Sequence, residues 1–96
     1  MAGFVILYHR KVVSADIPAL DPAVRRRIRA AIEAKLVLHP EEHAKPLAYT
    51  TARLWALRVG DLRVVFALRN RELWILTIGH RSEVYEHLSA RAVPPA

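Results

Sequence analysis

The chain has 96 residues, 53 % of them hydrophobic, which is enough apolar material for one small core and too little for two. Fifteen Lys and Arg against nine Asp and Glu leave a formal charge of +6, so attraction to a polyanion is one account of the excess and a merely soluble basic surface the plainer one. The absence of cysteine excludes a disulfide framework and thiolate metal chemistry, and no apolar run is long enough to span a bilayer.

The elements begin with a strand. Phe4-Val5-Ile6-Leu7-Tyr8 is a short bulky run between Gly3 and His9-Arg10, and it lacks the basic lead and cleavage site of a signal peptide, which is compatible with the cytoplasm. Lys11 to Ala19 reads as a short helix ending near Pro18, because proline disfavours helical backbone in the residue before it. From Asp21 to Leu36 the apolar residues Val24, Ile28, Ala31, Ile32 and Leu36 recur at helical spacing, with Asp21 as N-cap and Pro22 in the first turn. Arg25, Arg26, Arg27 and Arg29 form a charged solvent face on that helix, available to assist binding. His39 to Thr51, with Pro40 and Pro46, reads as a loop.

Three β-prone runs follow: Arg53 to Val59, Leu62 to Leu68 and Leu73 to Ile78, separated by Gly60-Asp61 and Asn70-Arg71. The expected fold is α+β, a small and mostly antiparallel sheet in the order β-α-α-β-β-β with two helices packed on one face. A short C-terminal helix is expected to start after the last strand, capped by Ser82 with Glu83 behind it. Residues 1–96 are taken as a single domain whose last residues, 91–96, form a frayed tail.

The first turn fixes a register. With Gly60 and Asp61 as loop residues, Val59 faces Leu62, Arg58 faces Arg63 and Leu57 faces Val64. Trp55, Leu57, Val59, Leu62, Val64 and Phe66 then share an apolar face, and Arg58 and Arg63 stand opposite each other on the other face. Two unit charges about 5 Å apart at an effective dielectric near 20 repel by roughly 3 kcal/mol. A carboxylate within the protein or a bound phosphate backbone would relieve this, and guanidinium groups bind phosphate through paired hydrogen bonds. The same count at Asn70-Arg71 pairs Arg63 with Ile78 and Asp61 with His80, which brings His80 to the arginine face. Arg81 and Tyr85 are four residues apart, a spacing that stacks side chains on one side of a helix.

The remaining histidines, His9, His39, His43 and His87, have no metal-ligand spacing. Only Gly3, Gly60 and Gly79 occur, without a phosphate-binding loop or a Gly-x-Ser-x-Gly elbow. No metal and no cofactor are therefore expected.

In the order Asp16-Ile17-Pro18-x-Leu20, Lys45-Pro46-Leu47, Leu57-Arg58-Val59-Gly60-Asp61-Leu62-Arg63-Val64-Val65 and Ile78-Gly79-His80-Arg81-Ser82-Glu83-Val84-Tyr85, the chain resembles the RelE branch of the RelE/ParE toxin superfamily. The resemblance implies the toxin of a type II toxin-antitoxin pair, a metal-independent endoribonuclease that cuts messenger RNA in the ribosomal A site. The ribose 2′-hydroxyl would attack the adjacent phosphate. By motif position, Arg63 would stabilise the phosphate, Arg81 the leaving oxygen, and Tyr85 would accept the hydroxyl proton. Lys45, Arg53, Arg58 and His80 are further candidates for binding RNA. The implied partners are an antitoxin protein, the ribosome and its message, and operator DNA reached through the antitoxin. One departure is that the two strand lysines of the best-known RelE toxins align with Leu54 and Ala56. Arg53, Arg58 or Lys45 are then the candidates to supply that charge from another direction. The alternative within the superfamily is a ParE-like toxin that traps DNA gyrase and needs no catalytic residues.

Overall fold

A computed structural model describes residues 3–47 and 54–91, with the side chains of residues 87, 89 and 90 left aside. The first strand, β1 (Val5–Tyr8), leads into a π-helical turn at Val12–Asp16 that continues into the helical turn α1 (Ile17–Ala19). This is the short helix expected before Pro18, and Pro18 sits inside its last turn. Next comes α2 (Pro22–Lys35), which starts where the sequence indicates: the Asp21 side chain accepts from the backbone N–H groups of Ala23 and Val24.

The stretch read as a loop from His39 to Thr51 is more structured than expected over residues 39–47, and the rest of it lies outside the described residues. Residues 39–47 contain a one-turn helix, α3 (Pro40–His43), and a two-residue strand, β2 (Lys45–Pro46). Elements of four and two residues are below the length at which periodicity carries a signal. The hairpin strands are β3 (Leu54–Val59), β4 (Leu62–Arg69) and β5 (Glu72–His80). They form one five-stranded sheet in the order β1-β5-β4-β3-β2. β1 runs parallel to β5 and the other pairings are antiparallel, so the α+β architecture is as the sequence indicates.

The first hairpin has the expected register, Val59 with Leu62, Arg58 with Arg63 and Leu57 with Val64. Gly60 takes a φ of +61°, which a Cβ would make costly, and the two-residue loop needs a positive φ at this position. The second hairpin starts in the expected register, from Arg69 with Glu72 to Phe66 with Ile75, and then shifts. Val65 faces Thr77 rather than Leu76, so Leu76 is an extra residue in β5 and every later pair moves by one. Arg63 therefore faces Gly79, not Ile78, and His80 faces Leu62, not Asp61.

Two apolar clusters sit on opposite faces of the sheet. The larger joins Val12, Ile28, Ile32 and Leu36 to Leu57, Val59, Val64, Phe66, Leu73, Ile75 and Ile78, with Trp55 and Leu62 packed at its margin. This is the face read from the alternation in β3 and β4. The second cluster, Leu54, Val65, Ala67, Leu76 and Val84 with Leu88 against it, covers part of the face expected to be open. Its cover is a 3-10 helix, Val84–Ala90. The expectation that Arg91 belongs to a frayed tail is corrected: this residue is buried at 7 % exposure.

Tyr8 stands beside α2, lining a cavity with Arg25, Ile28, Arg29 and Ile32. Burial, then the nearby Glu33 carboxylate, push its phenol above the ordinary value of 10, against a smaller opposing pull from Arg29. The native state thus holds the proton more tightly than the unfolded chain. Its contribution to stability is present below pH 10 and is lost as pH rises beyond that value. Urea midpoints measured from pH 8.5 upward should fall more steeply for the wild type than for Tyr8→Phe, and equal slopes would contradict this assignment.

Candidate functional site

The hairpin β3-β4 carries the basic face. Arg58 and Arg63 are direct cross-strand neighbours, and the adjoining row contains Lys45, which pairs with Ala56 across β2 and β3. Directly opposed residues in a sheet share a face. Lys45 therefore supplies a cation beside the strand position where Ala56 has none, and it does so from an edge strand that sequence periodicity does not reveal. Lys45 and Arg58 are exposed, and Arg63 is half-buried.

Among the described residues, the crowding of Arg58 and Arg63 is relieved partly by carbonyls rather than by a carboxylate. Arg63 Nη1 donates to the Gly60 carbonyl at 3.0 Å and to the Leu62 carbonyl at 2.9 Å, which anchors its guanidinium over the turn. Arg27 of α2 approaches the same turn, its Nη2 lying 3.1 Å from where a Gly60 Cβ would stand. Of the arginines read as a solvent face on α2, Arg25 bonds the Leu20 carbonyl and Arg29 pairs with Glu33.

Beyond β5, the Arg81 N–H donates to the Asp61 carbonyl at 2.9 Å, tying Arg81 to the end of the hairpin that carries Arg63. Both Arg81 and Tyr85 are exposed, Tyr85 at 44 %. Tyr85 follows Val84, which is buried in the second cluster and lies 3.9 Å from a Cβ built on Gly79, the residue facing Arg63. The helix bearing Tyr85 is 3-10 rather than α, with Glu83 at its N-cap and no side-chain cap, so the i,i+4 stacking inferred for Arg81 and Tyr85 does not apply. Ser82, expected as a cap, instead meets His80: its Oγ lies 2.8 Å from His80 Nδ1, and its N–H lies 3.2 Å from the same nitrogen.

His80 is the site candidate that the structure removes from the arginine face. The extra residue at Leu76 turns it to the side of Leu62, where it lines a cleft with Ala15, Asp16, Leu20 and Glu83. Arg53 lies outside the described residues. Leu54, one of the two apolar residues aligned with the strand lysines of RelE toxins, is buried with Val84 and its neighbours, while Ala56 is half-buried.

Sequence reasoning missed one buried ion pair. Arg91 Nη1 and Nη2 both donate to the Asp16 carboxylate, Nη2 at 3.1 Å to Oδ1. Arg91 Nη1 also reaches the Leu76 carbonyl at 3.2 Å, and the Ile78 N–H donates to Asp16 Oδ2 at 2.9 Å. β1 stops pairing with β5 at Ile75, so the pair takes up two backbone groups of β5 beyond that point. Seventy-five residues separate its members, and no local pattern signals such a contact.

The π-helical turn and α2 cover one face of the five-stranded sheet, and the basic end of the β3-β4 hairpin lies on the other beside the second apolar cluster. The model of the family described as ParE toxin of type II toxin-antitoxin system, parDE, matches residues 5–85, and the chain belongs to this family. The fold is similar to a chain in the crystal structure of the toxin-antitoxin complex RelBE2 from Mycobacterium tuberculosis, with a TM-score of 0.75 and 20% identity over 85% of this chain and 95% of that one. No curated protein matches in sequence. Among the described residues, no helix is long and apolar enough to cross a membrane.

Proposed function

We propose that this type II toxin is a ribosome-dependent endoribonuclease that cleaves messenger RNA in the A site and is silenced by an antitoxin protein. The observation that carries the reading is the row Arg58-Arg63 with Lys45 beside it on one face, and Arg81 tied to the end of the same hairpin. Lys45 and Arg58 hold the RNA backbone. Arg63, its Nη1 fixed by the Gly60 and Leu62 carbonyls, turns its remaining N–H groups to the scissile phosphate. The 2′-hydroxyl oxygen attacks phosphorus as its proton passes to the Tyr85 oxygen, which takes it up as the phenolate. The bond to the 5′-oxygen breaks, leaving a 2′,3′-cyclic phosphate and a 5′-oxyanion that takes a proton from water to become the 5′-hydroxyl. Arg81 stabilises the charge on the departing oxygen. An arginine holds its proton too firmly to be an effective acid, so its part is electrostatic.

The partner reading follows from the family and from the toxin-antitoxin complex that the fold resembles. The antitoxin would cover the basic face and carry the pair to operator DNA in the cytoplasm. A second reading, a ParE-like toxin that traps DNA gyrase, is favoured by the description of the matching family and by apolar Leu54 and Ala56.

Translation in vitro followed by primer extension separates the two. Wild type should produce cuts within translated codons, and Arg81→Ala should reduce them about 10²–10³-fold, the cost of losing one preorganised charge-stabilising donor. Uncut message together with arrested DNA supercoiling by gyrase would support the second reading instead.

A further inference from the structure

We propose that Asp16 and Arg91 are positioning residues for Tyr85: their buried ion pair clamps the rear of the segment that carries Tyr85 onto the sheet. The proposal rests on the ribonuclease reading for the role of Tyr85, whereas the clamp itself stands on geometry.

A seven-residue 3-10 helix has poor hydrogen-bond geometry and little stability of its own, and Val84–Ala90 has no side-chain cap at its start. Tertiary anchors must hold it. At the front, Val84 is 1 % exposed and packs with Leu54, Val65, Ala67 and Leu76. At the rear, the Arg91 N–H donates to the Leu88 carbonyl at 3.1 Å, closing the last turn. The Arg91 guanidinium is then held by the Asp16 carboxylate and the Leu76 carbonyl. Asp16 is itself fixed by the Ile78 N–H, and it ends the π-helical turn Val12–Asp16. Tyr85 lies between the two anchors and is 44 % exposed, so the placement of its backbone bears directly on where its hydroxyl reaches. A displacement of about 1 Å at a reacting group can reduce rate by about a hundredfold.

The test uses the full-length toxin. Because Arg91→Ala leaves a buried carboxylate unpaired and the chain can fail to fold, the principal variant is Asp16→Asn with Arg91→Gln, which keeps hydrogen-bonding groups and removes both charges. Cleavage on programmed ribosomes should show kcat falling about tenfold to a hundredfold with KM within about twofold of wild type. Amide exchange at residues 84–91 should accelerate while the amides of β3 and β4 stay protected. Arg91→Lys, retaining the charge, should recover part of the loss. In a Tyr85→Phe background the paired substitutions should cost no further kcat, an outcome that general destabilisation does not produce. Unchanged exchange at 84–91 overturns the clamp, and accelerated exchange with unchanged kcat overturns the positioning role. A wild type that cuts no message defeats the ribonuclease reading, and the exchange pattern still decides whether the pair holds the segment.

Discussion

Asp16→Ala is expected to lower the free energy of unfolding by about 3–5 kcal/mol, a large part of the roughly 5–15 kcal/mol typical of a whole domain. The substitution leaves the Arg91 guanidinium in a site of 7 % exposure without its counter-charge. It also removes the acceptor of the Ile78 N–H. The cost is that of an orphaned buried charge rather than the worth of the pair, because attraction between buried ions is largely offset by their desolvation. For the same reason, adding Arg91→Ala should cost less than the two single effects summed. Urea denaturation of the three variants measures this cycle. A loss below 1 kcal/mol for Asp16→Ala would mean that water reaches Arg91 and that the pair contributes no more than an exposed one.

The parts legible in the sequence are those governed by local rules. The start of α2 follows from an aspartate ahead of a proline, and Asp21 makes the capping bonds. The β3-β4 register follows from a two-residue loop at Gly60-Asp61, and alternation then assigns Leu57, Val59, Val64 and Phe66 to the helix-covered face. Arg58 opposite Arg63 is legible by the same count. The rest depends on contacts between distant segments. Leu76 and Thr77 are both compatible with a regular strand, so nothing in their identity shows that β5 holds an extra residue there, and this one residue moves His80 to the other face. β2 is defined only by its pairing with Trp55 and Ala56. The second apolar cluster requires Val84 to fold back over β3, β4 and β5, which is why the face that looked open from alternation is partly closed.

Tyr85→Phe should reduce kcat for message cleavage about 10²–10⁴-fold, the usual contribution of a general base, while KM changes little. Phenylalanine keeps the ring and removes only the oxygen that the proposed mechanism uses, and Tyr85 is exposed enough that the fold does not depend on its hydroxyl. Lys45→Ala and Arg58→Ala provide the contrast. Both residues are exposed on the basic face and neither is assigned to the bond-making step. They should therefore raise KM, leave kcat nearly unchanged and flatten the salt dependence of binding by nearly one unit for each phosphate no longer neutralised. Single-turnover cleavage on ribosomes at several salt concentrations measures both effects. The division matters because a toxin acting only by binding would show the opposite pattern: Tyr85→Phe would arrest growth like wild type, and the cationic substitutions would relieve it. Loss of cleavage in Lys45→Ala with full cleavage in Tyr85→Phe would therefore remove the base from the mechanism while leaving the basic face as the surface that engages the target.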